Sequence, residues 1–234
     1  MLSFIIPAHN EEQLLGPTLR ALAASARGVG EPFEVIVVDD ASTDQTAAIA
    51  LELGARVVHV QNRQIAATRN AGAREASGDL LFFVDADTLA NEDAVRAAVE
   101  ALREGAAGGG CVFDFDGELP LWLRAAHPAL IALFRLLNVT GGCFLFCTRE
   151  AFDAIGGFCE RYFAVEDRPF IAALKRQGRF VVPRARVKTS GRKAREVPFW
   201  RAMWLIARMA AGGPESFSRR EASEAWYGSR RDRP

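Results

Sequence analysis

The sequence predicts an α/β domain built on a doubly wound, mostly parallel sheet. Three observations carry that prediction. Short, nearly all-apolar runs alternate with stretches of helical spacing through the first half of the chain. The runs lack the polar alternation of a sheet with one wet face, as expected of parallel strands covered on both sides. Polar clusters ("PAHNEE", "DDASTD", "DADT") stand directly after the first, second and fourth runs, at the carboxyl ends where an open α/β sheet places its ligand crevice.

Each element follows from local signals. "LSFIIPA" reads as the first strand, and Gly16-Pro17 opens a helix to about Ala26. "FEVIVVDD" is the second strand, with Ser42-Thr43-Asp44 capping a helix to about Leu53. "ARVVHV" is the third, followed by a helix from about Ile65 to Ala76. "DLLFFVD" is the fourth, and Asn91-Glu92-Asp93 starts a helix to about Arg103. The second half is less regular. "AGGGCVFDF" reads as one strand, residues 119–137 as an apolar helix containing Trp122 and Pro128, and "GGCFLFCT" as another strand. Arg149 to Ala154 suits a short helix, and Pro169 to Gln177 a second one stopped by Gly178. "RFVVP" and "ARVKTS" suggest short strands forming a small antiparallel edge. Glu196 to Ala211 has helical spacing, with Phe199, Trp200, Met203, Trp204 and Ile206 among its residues.

At 234 residues the chain suits one domain with a substantial core. Formal net charge is zero, which gives no argument for a nucleic-acid partner. The charge is unevenly spread. Residues 184–234 carry 13 Lys+Arg against 5 Asp+Glu, and residues 1–183 carry 16 against 24. A basic C-terminal section can meet phosphates or an anionic membrane surface, or can be a solvated tail. No run approaches the roughly 18 apolar residues of a membrane span, and the N-terminus has no signal-peptide pattern. Cys111, Cys143, Cys147 and Cys159 have no His at zinc-ligand spacing. Together these lead to the expectation of a cytoplasmic protein, in which residues 196–211 either pack against the domain or make a peripheral contact with the inner face of the membrane.

Asp85-Ala86-Asp87 leaves the fourth strand. Alternation there aims residues i and i+2 the same way. Two carboxylates on one side attract a hard divalent cation, Mn²⁺ or Mg²⁺, which keeps water and shares its coordination with substrate phosphates. The same residues also suit a turn in which Asp87 caps a helix start.

The set "IIPAHNEE", "VIVVDDASTDQT", "NRQIAATRNAG", "SGDLLFFVDADT" and "GGFCERYFAVED", spread over residues 1–190, resembles glycosyltransferase family 2. That resemblance implies the GT-A fold and a nucleotide-diphospho-sugar donor, with a UDP-sugar favoured. Residues 1–190 would form a single GT-A domain, its nucleotide-binding half at about 1–110 and its acceptor half at about 111–190, ahead of a basic C-terminal helix and tail at 191–234. Pro7, His9, Asn10 and Glu11 would line the nucleotide pocket. The Asp39-Asp40 pair would face it too, with Asp40 accepting a hydrogen bond from the base. Arg63 and Arg69 would sit near the base or phosphates. Asp85 would meet the ribose side and share the metal site with Asp87, which holds the ion on the diphosphate. Structural alternatives stand beside these roles: Asp39 or Asp40 as turn caps, the two arginines as solvated helix residues, and His9 as a structural histidine.

Glu166-Asp167 is the second acidic site. Sugar transfer needs a base for the acceptor hydroxyl, and the resemblance assigns that role to Asp167, with inversion at the anomeric carbon. The alternative is that Asp167 caps the helix starting near Pro169. Many family members carry a further acid where this chain has Pro169. In "TSGRK", Arg192 and Lys193 would close over the diphosphate, or form a solvated turn. The Gln-x-x-Arg-Trp motif of the processive synthases is absent, so single transfer to an acceptor (glycan, lipid or small molecule) is expected. Two other readings stay open: transfer to a polyprenyl phosphate at the membrane surface, and a non-catalytic nucleotide-sugar-binding protein.

Overall fold

A computed structural model describes residues 1–162, 165–192 and 195. In chain order the elements are β1 (Leu2–Ala8), α1 (Leu15–Val29), β2 (Phe33–Asp40), α2 (Thr46–Glu52), β3 (Arg56–Val60), α3 (Ile65–Glu75), β4 (Leu80–Val84), β5 (Thr88–Leu89), α4 (Glu92–Arg103), β6 (Gly108–Gly110), β7 (Val112–Phe115), α5 (Leu121–Leu136), β8 (Phe144–Thr148), α6 (Arg149–Ile155), α7 (Asp167–Gln177), β9 (Phe180–Val181) and β10 (Arg186–Thr189).

The central sheet has seven strands in the order β3-β2-β1-β4-β8-β6-β9. The chain runs outward from β1 to β3, then returns to lay β4 on the other side of β1. That reversal places the topological switch point, and with it the ligand crevice, between β1 and β4. Pairing of β1 with β4 covers only Leu2–Ile5 opposite Leu80–Phe83, whereas pairing with β2 continues to Ala8 opposite Asp39. Beyond Ile5 the ladder to β4 therefore stops, and Pro7, which has no N–H to give to a ladder, stands where it ends.

Strand alternation divides the core in two. Leu2, Phe4 and Ile6 of β1 join Phe82, Val84, Phe144 and Phe146 with α1 and α4 on one face. Ile5, Phe83, Leu145 and Cys147 join Phe152, Phe158 and Phe170 on the other. On that second face the rings of Phe158 and Phe170 stack at 3.8 Å between centroids, and Phe83 meets Phe158 edge to face at 4.8 Å. Each such ring contributes about 1.5–3 kcal/mol relative to exposure. Phe158 and Phe170 of this cluster bracket Glu166-Asp167 in the chain.

Three boundaries differ from the sequence expectation. "AGGGCVFDF" is two strands in two sheets: β6 belongs to the central sheet, and β7 joins β5 and β10 in a separate three-stranded sheet. At Gly109 a side chain would run into the Phe146 ring and the Val181 carbonyl, so β6 packs only because it is glycine. The antiparallel strand of the central sheet, β8, lies inside it between β4 and β6, while β10 runs antiparallel to β5 in the smaller sheet. α7 begins at Asp167, two residues before Pro169. Proline is tolerated there because a first-turn N–H has no intrahelical acceptor to lose. The helix expected over 196–211, and its proposed membrane contact, lie outside the described residues, as does Lys193.

Candidate active site

The end of β1 and the end of β2 are tied together by their own polar residues. His9 Nδ1 donates to the Asp40 backbone carbonyl at 2.7 Å, so its proton sits on Nδ1. The Asn10 N–H donates to Ser42 Oγ at 3.0 Å, while Asn10 Oδ1 accepts from the Thr43 N–H at 2.8 Å. Asn10 does this with φ of 52°, the left-handed region that asparagine tolerates better than most residues. Asp39 accepts from the Ser42 N–H and from His59 Nδ1, which lies opposite it on β3.

Asp39 thus caps the turn that follows β2, while Asp40 caps a different element. Its carboxylate accepts from the N–H groups of Arg63 (2.8 Å) and Gln64 (3.2 Å) and from Thr68 Oγ1 (2.9 Å), at the N-terminus of α3. A carboxylate offers about four acceptor positions. Three are taken, which narrows Asp40's part in holding a base to the one that remains. Arg63, at φ 48°, exposes its side chain beside this cap.

Arg69 is not the solvated helix residue of the alternative reading. Its side chain is 1% exposed, and its Nη1 and Nη2 donate to Glu166 Oε1 (2.7 Å) and Asp85 Oδ1 (2.8 Å). Nη2 also donates to the Gly142 carbonyl at 2.9 Å, and the guanidinium lies 5.2 Å over the Phe158 ring. The reason is its place on α3, where every residue from Thr68 to Ala73 is buried and a charged side chain is tolerated only when paired. It thereby joins the two acidic motifs of the chain. Asp85 follows the end of β4, and Glu166 precedes α7.

Asp167 lies beside this hub. A side chain at Gly142 would meet Asp167 Cβ at 3.2 Å and Arg69 Nη2 at 3.5 Å, so the glycine lets helix and loop close together. Asp167 is the first residue of α7, and Glu166 holds the cap position without making a side-chain cap bond. The Asp167 carboxylate accepts from the Arg168 N–H of the first turn at 3.0 Å, so the capping role stands beside that of the base. Burial raises the pKa of Glu166 to about 7, with Arg69 opposing the rise and the Asp167 charge adding to it. Burial raises that of Asp167 as well, again opposed by Arg69. The pair thus keeps a proton to higher pH than isolated carboxylates would.

Asp87 meets the other half of the site. The Ser190 N–H donates to its backbone carbonyl at 3.1 Å, Thr189 Oγ1 lies 3.4 Å from Oδ1, and Arg192 Nη2 lies 3.3 Å from Oδ2. The same Arg192 nitrogen is 2.8 and 2.7 Å from the two Glu11 oxygens. Glu11, read from sequence as a nucleotide contact, is 2% exposed and engaged with Arg192. The turn between the two aspartates is fixed by Thr18 Oγ1 donating to the Ala86 carbonyl and by the Thr88 N–H donating to the Asp85 carbonyl.

Among the described residues no group of three His, Cys, Asp or Glu side chains gathers in metal-binding geometry. Two carboxylates flanking one residue still suit a hard cation that draws its remaining ligands from water and from phosphate oxygens. The donor chemistry at Asp85 and Asp87 therefore fits Mn²⁺ or Mg²⁺ delivered with a diphosphate.

Sequence reasoning missed Asn70, Gln64 and Gly142. Asn70 exchanges hydrogen bonds with the Phe158 backbone in both directions, at 2.9 Å each, and donates to Glu160. Gln64 donates to the Glu160 carbonyl. Helix α3 thus holds the segment leading to Glu166-Asp167. The available signal was that Gln64, Arg69 and Asn70 share one polar motif, "NRQIAATRNAG".

Comparison with known proteins bears on family and fold. The family model described as glycosyl transferase family 2 matches residues 3–160. A validoxylamine A glucosyltransferase of Streptomyces hygroscopicus subsp. jinggangensis is 35% identical over 142 residues, covering 57% of this chain and 32% of that protein. An undecaprenyl-phosphate 4-deoxy-4-formamido-L-arabinose transferase of Pseudomonas paraeruginosa is 35% identical over 112 residues, covering 45% of this chain and 33% of that protein. The chain thus spans about a third of the length of these curated relatives. A mannosyltransferase of Pyrobaculum calidifontis, solved with GDP-Man and Mn²⁺, superposes with a TM-score of 0.66 at 19% identity, over 100% of this chain and 65% of that one. The likeness to that structure shows the GT-A type α/β fold, and the match of the family model over two-thirds of the sequence shows the lineage: the chain belongs to glycosyl transferase family 2.

Proposed function

We propose that this protein transfers a sugar from a nucleotide-diphospho-sugar to an acceptor hydroxyl with inversion, using a divalent cation. One observation carries the reading. Arg69 ties Asp85, at the donor side of the switch-point crevice, to the Glu166-Asp167 pair across from it, so donor and base sites share one buried anchor. The donor's base would lie along the β1 and β2 ends near His9, Asn10, Asp39 and Asp40. Asp85 would face the ribose. Asp87, with Asp85, would hold Mn²⁺ or Mg²⁺, which supplies charge neutralisation for the leaving diphosphate. Asp167 would take the acceptor proton as the hydroxyl attacks from the face opposite the leaving group. Arg69, bonded to Glu166, adds a positive charge near Asp167. The Pyrobaculum structure with GDP-Man and Mn²⁺ supports a nucleotide sugar and a divalent ion, although a UDP-sugar remains the donor we favour.

A thermal-shift panel of UDP- and GDP-sugars, with and without Mn²⁺, tests the donor side. At a ligand concentration near 100 Kd, the true donor with Mn²⁺ raises Tm by about 5–10 °C. Asp87→Ala leaves the unliganded Tm close to wild type and removes most of that rise. A panel with no response in wild type, or an undiminished response in Asp87→Ala, would count against the reading.

A second reading, transfer to a polyprenyl phosphate at the membrane surface, is favoured by α5. Leu121 and Leu136 are each 81% exposed, and Leu133 and Leu137 are also exposed. Ala125, Pro128, Ala129 and Ala132 continue the apolar stripe between Leu121 and Leu136, and the helix carries Arg124 and Arg135 but no acid. No helix among the described residues is long and apolar enough to cross a membrane. An exposed apolar stripe with flanking arginines suits a lipid interface. Wild-type protein should sediment with vesicles containing anionic phosphatidylglycerol, and the Leu133→Glu/Leu136→Glu variant should lose most of that binding while keeping its circular dichroism spectrum. Equal sedimentation of both proteins would remove α5 from the argument.

A further inference from the structure

We propose that Arg192 is the resting cation of the metal site: Glu11 anchors it, and an incoming divalent ion must compete with it for Asp87. This inference rests on the reading of Asp87 as a metal ligand. Its basis is the unequal pair of contacts made by one nitrogen. Arg192 Nη2 lies 2.8 and 2.7 Å from the Glu11 oxygens but 3.3 Å from Asp87 Oδ2. The first two are charge-assisted bonds of ordinary length, and the third is at the long limit for N–H···O. Glu11 is therefore the anchor and Asp87 the exchangeable partner.

Glu11 is well fixed for that task. It is 2% exposed, its N–H donates to Thr46 Oγ1 at 2.8 Å, and its carbonyl accepts from the N–H groups of Leu14 and Leu15. The backbone around Arg192 is held too. The Ser190 N–H bonds the Asp87 carbonyl, and the Gly191 N–H bonds Asp116 Oδ1 at 2.6 Å. Arg192 itself remains about one-third exposed. A side-chain movement, without opening of the loop, is enough to bring its guanidinium off Asp87.

The electrostatic consequence has opposite signs in two situations. A bare divalent ion on Asp87 stands beside a guanidinium and is repelled, so the free protein binds the ion weakly. When a diphosphate arrives with the ion, its negative charge gives Arg192 a new partner and lies between the two cations. Arg192 then favours the loaded state. It thereby couples metal and nucleotide binding, discouraging the ion alone and admitting the two together. Glu11 becomes a positioning residue that keeps the guanidinium within reach of both.

The test is titration of free Mn²⁺ by electron paramagnetic resonance, first without nucleotide and then with UDP. Without nucleotide, Arg192→Met is expected to bind Mn²⁺ about tenfold more tightly than wild type. Arg192→Lys, which keeps a cation near Glu11, stays close to wild type. With UDP present the order reverses, and Arg192→Met binds the Mn²⁺-UDP pair less tightly. Should Arg192→Met fold poorly because Glu11 is buried, Glu11→Gln/Arg192→Met removes both charges together and is expected to show a smaller tightening without nucleotide, because the Glu11 charge is lost along with the guanidinium. Equal or weaker Mn²⁺ binding in both Met variants overturns the proposal. Asp87→Ala separates the two levels: if it binds Mn²⁺ as wild type does, the metal assignment itself is wrong.

Discussion

Arg69→Met is expected to cost most of the protein's stability along with its activity. The side chain is 1% exposed and pairs with both Asp85 and Glu166. Removing one partner of a buried ion pair typically costs about 3–5 kcal/mol, because the other charge is left in low dielectric. Here Glu166 is left buried, with Asp167 beside it, while Asp85 is 31% exposed and partly solvated. A domain of ordinary stability has about 5–15 kcal/mol in total, so a large part of it goes. Urea unfolding measures this directly, and an unchanged midpoint would mean that the pairs in the hub are not formed in solution. Lost transfer by Arg69→Met alone would not separate folding from chemistry. Arg69→Lys does. A lysine keeps the charge but cannot reproduce a planar fork reaching two carboxylates and a carbonyl. It is expected to fold, to lose less stability than Arg69→Met, and to lose transfer by about 100-fold through misplacement of Asp85 and Glu166. Adding Glu166→Gln to Arg69→Met removes one of the stranded charges. It should recover part of the stability and none of the activity.

The same residue shows how far the sequence could be read. The crevice was legible because its residues sit at strand ends, and the strand ends are marked by abrupt changes from apolar to polar at Pro7, Asp39 and Asp85. The role of Arg69 was not legible. Its partners lie 16 and 97 residues away, and no local pattern distinguishes a buried arginine on a helix from a solvated one. Asp40 shows the intermediate case. Both a cap and a nucleotide contact were open, and the donors that choose the cap (Arg63, Gln64 and Thr68) come from the next helix but one. Strand direction was equally hidden. β8 is buried on both faces like its parallel neighbours, so its composition is the same whichever way it runs; only the path through α5 makes it antiparallel. Glu11 was placed correctly at the end of β1, yet its partner Arg192 comes from 181 residues downstream.

Asp167→Asn is expected to lower transfer by about 10²–10⁴-fold while leaving the fold intact, if Asp167 is the base. The environment makes this a clean substitution. Burial raises the pKa of both acids of the pair, so the site disfavours charge, and a neutral amide of the same shape costs little there. The same shifts set the pH dependence, and they set it in opposite senses for stability and for activity. Glu166 titrates near 4.5 when unfolded and about 7 when folded. The folded state therefore binds the proton more tightly, and this contribution to stability is fully present below about 4.5 and is lost as pH rises towards about 7. Activity needs Asp167 ionised, and burial raises its pKa too, so transfer should climb with pH over a range displaced upward from that of an isolated carboxylate. Glu166→Gln separates the two effects. It should flatten the fall in stability between pH 5 and 7, because the group that takes up the proton is gone. It should also move the midpoint of the pH–rate profile towards acid, because Asp167 loses a neighbouring negative charge and keeps more of Arg69. A purely structural Asp167 would leave the pH–rate profile unchanged in both variants, and full transfer by Asp167→Asn would transfer the role of base to another group.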